Sequence, residues 1–287
     1  MSNATIPPAL YKFISTCRAA QILGDLRIRF SEVSVLNDVD EFQPLYRGFA
    51  AREKTERISR EFLPKKYPNE IAAIHSKFPP DEAEKWINEM ASNGADNLEA
   101  NFEKIVKELY AKLDSEFGML SLSATMTSKL MWSFYCDGGR GVVIEFDPSH
   151  AWFNCKTAEN DSFHHLRKVQ YVEDREPTYF LSAKEDEVLY TKTLEWEFEK
   201  ELRIIRKFTE AKVKVGLDDY GKDVWLFDIP SSAIKSVILG YRTTSVNEKV
   251  LREIVSANAN LKHIVFRRAV RNVDGKIEIV PDTTGIV

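Results

Sequence analysis

The chain contains no run of about eighteen apolar residues, the length a helix needs to cross a bilayer, and no basic-then-apolar leader segment. A soluble, cytoplasmic protein with no membrane partner is therefore expected. Cysteine is scarce: Cys17, Cys136 and Cys155 are odd in number and far apart, which fits a reducing compartment better than a disulfide framework. Net charge is small, at −4, so no global basic field draws the chain to nucleic acid, although a local basic cleft stays open. Several catalytic signatures are absent as well. No G-x-S-x-G elbow occurs, no Walker loop, no G-x-G-x-x-G fingerprint and no Cys/His spacing suited to zinc. Acyl-transfer triads, P-loop and Rossmann nucleotide sites and a structural zinc are thereby unsupported, and no metal is expected.

What is present suffices for a large core: 287 residues, 44% of them hydrophobic. Ala9 to Ile14 reads as extended and Ser15 to Leu23 as a helix ending near Gly24. Leu26 to Phe30 alternates as a strand before a turn rich in Asn37, Asp38 and Asp40. Charged amphipathic stretches from about 43 to 117 read as a helical insertion. Strand character returns at Met119 to Ser123, and a helix from Ser128 to Cys136 ends at Asp137-Gly138-Gly139, read as a tight connection into the apolar strand Gly141 to Phe146. Further strands are expected at 169–172, 199–208, 224–229, 234–239, 264–269 and 276–280, with helices at 185–194 and 245–257. The pattern predicts an α+β fold of mostly antiparallel sheets interrupted by helices. Residues 9–242 form one domain around the insertion, and 243–287 pack on it.

The stretch Trp196-Glu197-Phe198-Glu199-Lys200-Glu201-Leu202-Arg203-Ile204-Ile205-Arg206 is the most informative. As a strand it places Phe198, Leu202 and Ile204 on the buried face and Glu199, Glu201 and Arg203 together on the other. Two like charges on one face need a partner, either an arginine lattice or a cleft where a carboxylate reacts. Two other polar stations precede it on strands: Tyr11-Lys12 and Ser121-Leu122-Ser123. A cation, hydroxyls and a carboxylate are the groups needed to hold a dinucleotide and assist departure of its nicotinamide. Trp132 and Tyr135 either wall a planar ligand or pack in the core. Asp38, Asp40 and Glu41 could ligate magnesium but read better as a turn. The pair His164-His165 reads as surface loop, and Arg267 and Arg268 as a solvated strand edge.

The segments LYKF, FSEVSVLNDVDEF, LSLSATMTSKLMWSFYCDGGRGVVIEFD, WEFEKELRIIR and SVILGYR, taken in order over Leu10 to Arg242, resemble the bacterial domain-of-unknown-function 2971 family. The order of the three stations is also similar to the ADP-ribosyltransferase superfamily, which places a basic or histidine residue on an early strand, a serine or tyrosine on a middle one and a glutamate on a later one. Lys12 stands here where histidine or arginine is usual. That resemblance implies an NAD-consuming enzyme with Glu201 or Glu199 as the catalytic glutamate. Tyr11, Lys12, Ser121, Ser123, Trp132, Tyr135 and Arg203 would meet NAD, with a protein or nucleic acid as acceptor, as in a toxin or phage-defence effector. The competing readings are a non-catalytic module that binds a nucleotide or a protein, with Glu199, Glu201 and Arg203 as an ion-pair lattice, and a magnesium nuclease.

Overall fold

The computed structural model describes residues 6–38, 45–159, 161–184 and 188–282. Within them the chain is α+β, with mostly antiparallel sheets and helices between. It divides into two compact units: Met1–Asp38 with Asp114–Glu173 and Tyr190–Val287, and Val39–Leu113 with Asp174–Leu189.

The first unit is built on eight strands: β1 (Leu10–Ile14), β4 (Phe117–Ser123), β5 (Val142–Phe146), β6 (Arg167–Lys168), β10 (Glu201–Lys207), β13 (Ile234–Leu239), β14 (Val265–Arg271) and β15 (Ile277–Pro281). Their order across the sheet is β15-β14-β13-β5-β1-β4-β10-β6. All the pairs are antiparallel except β13 with β14. Strands β11 (Val213–Leu217) and β12 (Asp223–Asp228) form a second sheet with β2 (Arg27–Phe30). The short strands β7 (Gln170–Val172) and β9 (Thr191–Thr193) pair in parallel.

Near-continuous apolar strands need cover on both faces, and the helices supply it. Leu10, Ile14, Leu122, Ile144 and Ile204 share one cluster with Ala19 and Leu23 of α1 (Thr16–Asp25) and Leu251 of α7 (Ser245–Ala257). On the opposite face Tyr11, Phe13, Val143 and Ile238 pack with Met131 and Trp132 of α6 (Lys129–Tyr135). Each fully buried aliphatic side chain contributes roughly 1.5–3 kcal/mol. Helix α7 is capped by Thr244, whose hydroxyl accepts from the Asn247 N–H at 3.2 Å.

The second unit holds α2 (Arg52–Lys66), α3 (Pro68–Lys77), α4 (Pro80–Ala100), most of α5 (Phe102–Glu116) and the parallel pair of β3 (Tyr46–Gly48) with β8 (Thr178–Tyr179). Thr55, Ser59 and Leu63 of α2 and Ala83, Ile87, Ala91 and Ala95 of α4 are buried. A Cβ on Gly94 would overlap the Ser59 hydroxyl, so the two helices meet where side chains are smallest.

Several elements depart from the sequence reading. Helix α1 runs past Gly24 and stops at Leu26, which takes the left-handed conformation at φ 52°. Gly24 is thus helical and exposed with nothing within 4 Å of a Cβ. Gly24→Ala is expected to raise stability by about 0.5–1 kcal/mol, read as a higher urea midpoint at unchanged slope. In the stretch 185–194, read as a helix, residues 185–187 lie outside the described residues, 188–189 are helical and 191–193 form β9. Residues Leu194–Glu199 are a 3₁₀ turn, so β10 starts at Glu201 and not at Glu199. The 3₁₀ turn breaks the alternation that was to align Phe198 and Glu199 with the strand. Arg267 and Arg268 are not at a solvated edge either. Strand β14 lies between β13 and β15, where Arg267 pairs with Glu145 and Arg268 with Glu248. Asp40 and Glu41 lie outside the described residues.

Candidate functional site

The sequence Glu199-Lys200-Glu201 turns a corner. Lys200 closes the 3₁₀ turn in the left-handed conformation at φ 46°, and its carbonyl accepts from the Ala124 N–H at 2.9 Å. The reversal lets both carboxylates converge on one cation. Lys192 of β9 places its Nζ 2.8 Å from Glu199 Oε2 and 3.0 Å from Glu201 Oε2. Arg203, two residues along β10 on the same face as Glu201, grips it in bidentate fashion: Nε donates to Oε1 at 2.8 Å and Nη2 to Oε2 at 2.9 Å. The Tyr135 hydroxyl donates to Glu199 Oε1 and accepts from Asn37 Nδ2 at 2.5 Å. All four carboxylate oxygens are therefore engaged.

The surrounding groups lock the backbone. Ser123 Oγ donates to the Glu199 carbonyl at 2.5 Å, the Tyr171 hydroxyl accepts from the Glu201 N–H at 2.8 Å, and the Ser121 hydroxyl bonds the Glu201 carboxyl. Residue exposures of 2% for Lys192, 5% for Glu199, 3% for Glu201 and 0% for Arg203 make this a buried lattice, not a surface ion pair. Burial pushes the Glu201 carboxyl up, with Lys192 opposing and Glu199 adding to it. Burial also lowers Arg203 to about 9, against the pull of Asp38. For Lys192 burial disfavours the charge, but Glu201 and Glu199 outweigh it and hold the ammonium above the usual lysine range.

The remaining candidates fall elsewhere. Tyr11, Ser123 and Glu201 stand in one cross-strand row on β1, β4 and β10, but Tyr11 feels Glu145 and Arg267 on its other side. Lys12 alternates with Leu10 and Ile14, so its stem lies on the face opposite Ser121, Ser123 and Glu201. The reason is a gap in the sheet. Strands β1 and β4 share only the pair Tyr11–Ser123, while Met119 exchanges two backbone bonds with Ser31 at 2.9 and 2.8 Å. Between these pairings the Ser121 carbonyl accepts from Lys12 Nζ at 2.9 Å. Burial lowers the Lys12 ammonium to about 8, and Glu201 partly offsets this.

Trp132 is fully buried, donates from Nε1 to the Met126 carbonyl at 2.8 Å and meets Phe13 edge-on at 5.4 Å. It is core. The aromatic surface beside the lattice consists instead of Phe134, Phe198 and Trp196, with successive ring centroids 6.0 Å apart and Lys192 Nζ 5.2 Å from the Trp196 ring. Sequence reasoning missed Lys192 because 185–194 read as a helix. The β-branched pair in Thr191-Lys192-Thr193 was the available strand signal.

A family model now bears on this cluster. Residues 131–204 match DUF2971, a family of proteins of unknown function. The DUF2971 match runs from α6 into β10 and takes in Tyr135, Lys192, Glu199, Glu201 and Arg203. It is shorter than the resemblance drawn over Leu10 to Arg242 and leaves Tyr11, Lys12, Ser121 and Ser123 outside. No curated protein and no solved structure matches the chain.

Proposed function

We propose that this protein is an NAD-consuming enzyme of the ADP-ribosyltransferase type, modifying a protein or nucleic acid in a bacterial defence or toxin setting. One observation carries the reading. Stations more than a hundred residues apart at the first step, Tyr11-Lys12, Ser121 with Ser123, and Glu201, occupy three neighbouring strands, and the sheet parts between the first two. A dinucleotide seated at that parting would meet hydroxyls from β4 and a carboxylate from β10. Glu201 would bond a ribose hydroxyl and stabilise positive charge growing at the anomeric carbon as nicotinamide leaves. Glu199, held by Tyr135 and Lys192, would orient the acceptor.

A second reading, a non-catalytic nucleotide- or protein-binding module, is favoured by the engagement of all four carboxylate oxygens. In that case the lattice braces the sheet and presents the Phe134, Phe198 and Trp196 surface to a partner. Among the described residues no group of three or more His, Cys, Asp or Glu converges to hold a metal ion, so the magnesium-nuclease reading gains no ligand set from them.

Calorimetry with NAD on wild type and Glu201→Gln, with nicotinamide release followed in the same samples, separates the two readings. The enzyme reading expects binding by both and turnover lost by at least a hundredfold in the variant. Equal turnover in the variant removes Glu201 from the chemistry. Absence of NAD binding by a folded wild type favours the module.

A further inference from the structure

His164, read from the sequence as part of a surface loop, is held at both ends of its ring. Its Nδ1 lies 2.8 Å from Asp161 Oδ2 and 3.0 Å from Oδ1, and its Nε2 lies 2.9 Å from Glu210 Oε1. Asp161 belongs to the loop ahead of β6 and is itself pinned. It accepts from the N–H groups of Thr157, Phe163 and His164 at 2.9 to 3.1 Å and from the Thr157 hydroxyl. Glu210 belongs to the 3₁₀ turn Phe208–Glu210 that follows β10, and also accepts from the Lys207 N–H at 3.2 Å.

Ionised carboxylates only accept hydrogen bonds, and a neutral imidazole carries a single N–H. A ring placed between two carboxylates is bonded at both ends only as the imidazolium. When the proton leaves, one of the two bonds must be given up. The same loop leads directly to the edge of the candidate site. The Phe163 carbonyl accepts from the Ile205 N–H at 3.2 Å, β6 pairs with Leu202 and Arg203, and the Val169 N–H donates to the Glu201 carbonyl at 3.0 Å.

We propose that His164 is a proton-operated latch, which ties the segment 161–166 to the turn after β10 and so holds the edge strand β6 against Glu201 and Arg203. The charges facing the ring are Asp161 and Glu210. The neighbouring His165 is driven toward its neutral form by burial and by Lys156 and Arg167, so it adds no steady positive charge beside His164. Lys207, on β10, turns its ammonium to the Phe117 ring at 6.0 Å, and Arg206 donates to the Trp152 carbonyl at 2.6 Å while also attracting the Glu210 carboxylate. For His164 itself, burial disfavours the charge, but the bonds to Glu210 and Asp161 outweigh it and raise the ring above its ordinary value.

A group whose folded value is raised adds stability that is fully present below its unfolded value, about 6.5, and is lost as pH rises through the folded value. The latch is closed on the acid side and opens on the alkaline side. This proposal does not depend on NAD.

Histidine ring NMR titration of wild type and Glu210→Gln, with amide hydrogen exchange of Val169 and Ile205 followed over the same pH range, tests it. In wild type, protection of both amides, corrected for intrinsic exchange, is expected to fall at least tenfold as His164 loses its proton. In Glu210→Gln the midpoint should move down and the fall should shrink. Comparing pH courses within each protein keeps the result readable even if the variant is less stable overall. A His164 midpoint at or below that of free histidine, or protection unchanged across its titration, would overturn the latch.

Discussion

Replacing Lys192 by methionine is expected to destabilise the protein by about 3–5 kcal/mol, the range for removing one partner of a buried ion pair. Lys192 is the shared counter-charge of Glu199 and Glu201 at 2.8 and 3.0 Å. Without it Glu201 keeps the Arg203 fork, while Glu199 keeps only the Tyr135 hydroxyl for a buried anion. Adding Glu199→Gln to Lys192→Met should recover a substantial part of the loss, since the orphaned charge is gone. Urea unfolding of wild type, Lys192→Met and the double variant measures both effects. A loss below about 1 kcal/mol would mean that the lattice is no stronger than a surface pair. Glu201→Gln keeps the side-chain volume but turns an amide NH2 toward a donor of Arg203 or Lys192, so a fall in NAD turnover larger than its fall in stability assigns chemistry to this residue.

Gly141→Ala should cost about 3 kcal/mol or more, at or above the top of the usual range for overpacking, because the obstacle is main chain and not a side chain that can swing away. A Cβ at 141 would sit on the Ile14 carbonyl oxygen and 2.9 Å from Cys136 Cα. The glycines here press two loops together. The Gly141 N–H donates to the Cys136 carbonyl at 2.8 Å, the Gly240 N–H to the Gly141 carbonyl at 3.1 Å, and the Arg242 N–H to the Gly139 carbonyl at 2.9 Å. Gly138→Ala is the matched control. Its φ is +65° and the nearest atom to a Cβ is the Arg140 guanidinium at 3.5 Å, so only the left-handed backbone cost of roughly 1–2 kcal/mol applies. Denaturant midpoints of the two variants decide the point, and equal losses would show that the loops have room to part.

Much of the fold was legible because apolar periodicity is a local signal. Strand Val142–Phe146 is buried except for Glu145, helix Ser245–Ala257 carries Leu251 and Val255 one turn apart on its buried side, and Ser128 and Thr244 cap the helices they precede. The reading failed where a backbone conformation interrupted the period. Lys200, neither glycine nor asparagine, adopts the left-handed conformation, and nothing in its side chain announces that. Phe198 and Glu199, which alternation aligns with the strand, therefore stay in the 3₁₀ turn before it. The site was legible only in part for the same reason. Ser121, Ser123, Glu201 and Arg203 follow from alternation within two strands, whereas Lys12, placed beside them by sequence order, reaches the sheet from its other face.

The sequence by itself determined the α+β class, the apolar faces of the main sheet and the grouping of Glu201 with Arg203, since each depends on spacing within a single element. Only the tertiary structure decided which cation neutralises the glutamates, that Trp132 is core while Phe134, Phe198 and Trp196 form the aromatic surface, and that His164 lies between two carboxylates. Those relations join residues from separate elements, as Lys192 of β9 meets Glu201 of β10 and Tyr135 of α6 meets Glu199. Burial then gives them their strength, because removal from water turns weak surface attractions into bonds that cannot be broken cheaply.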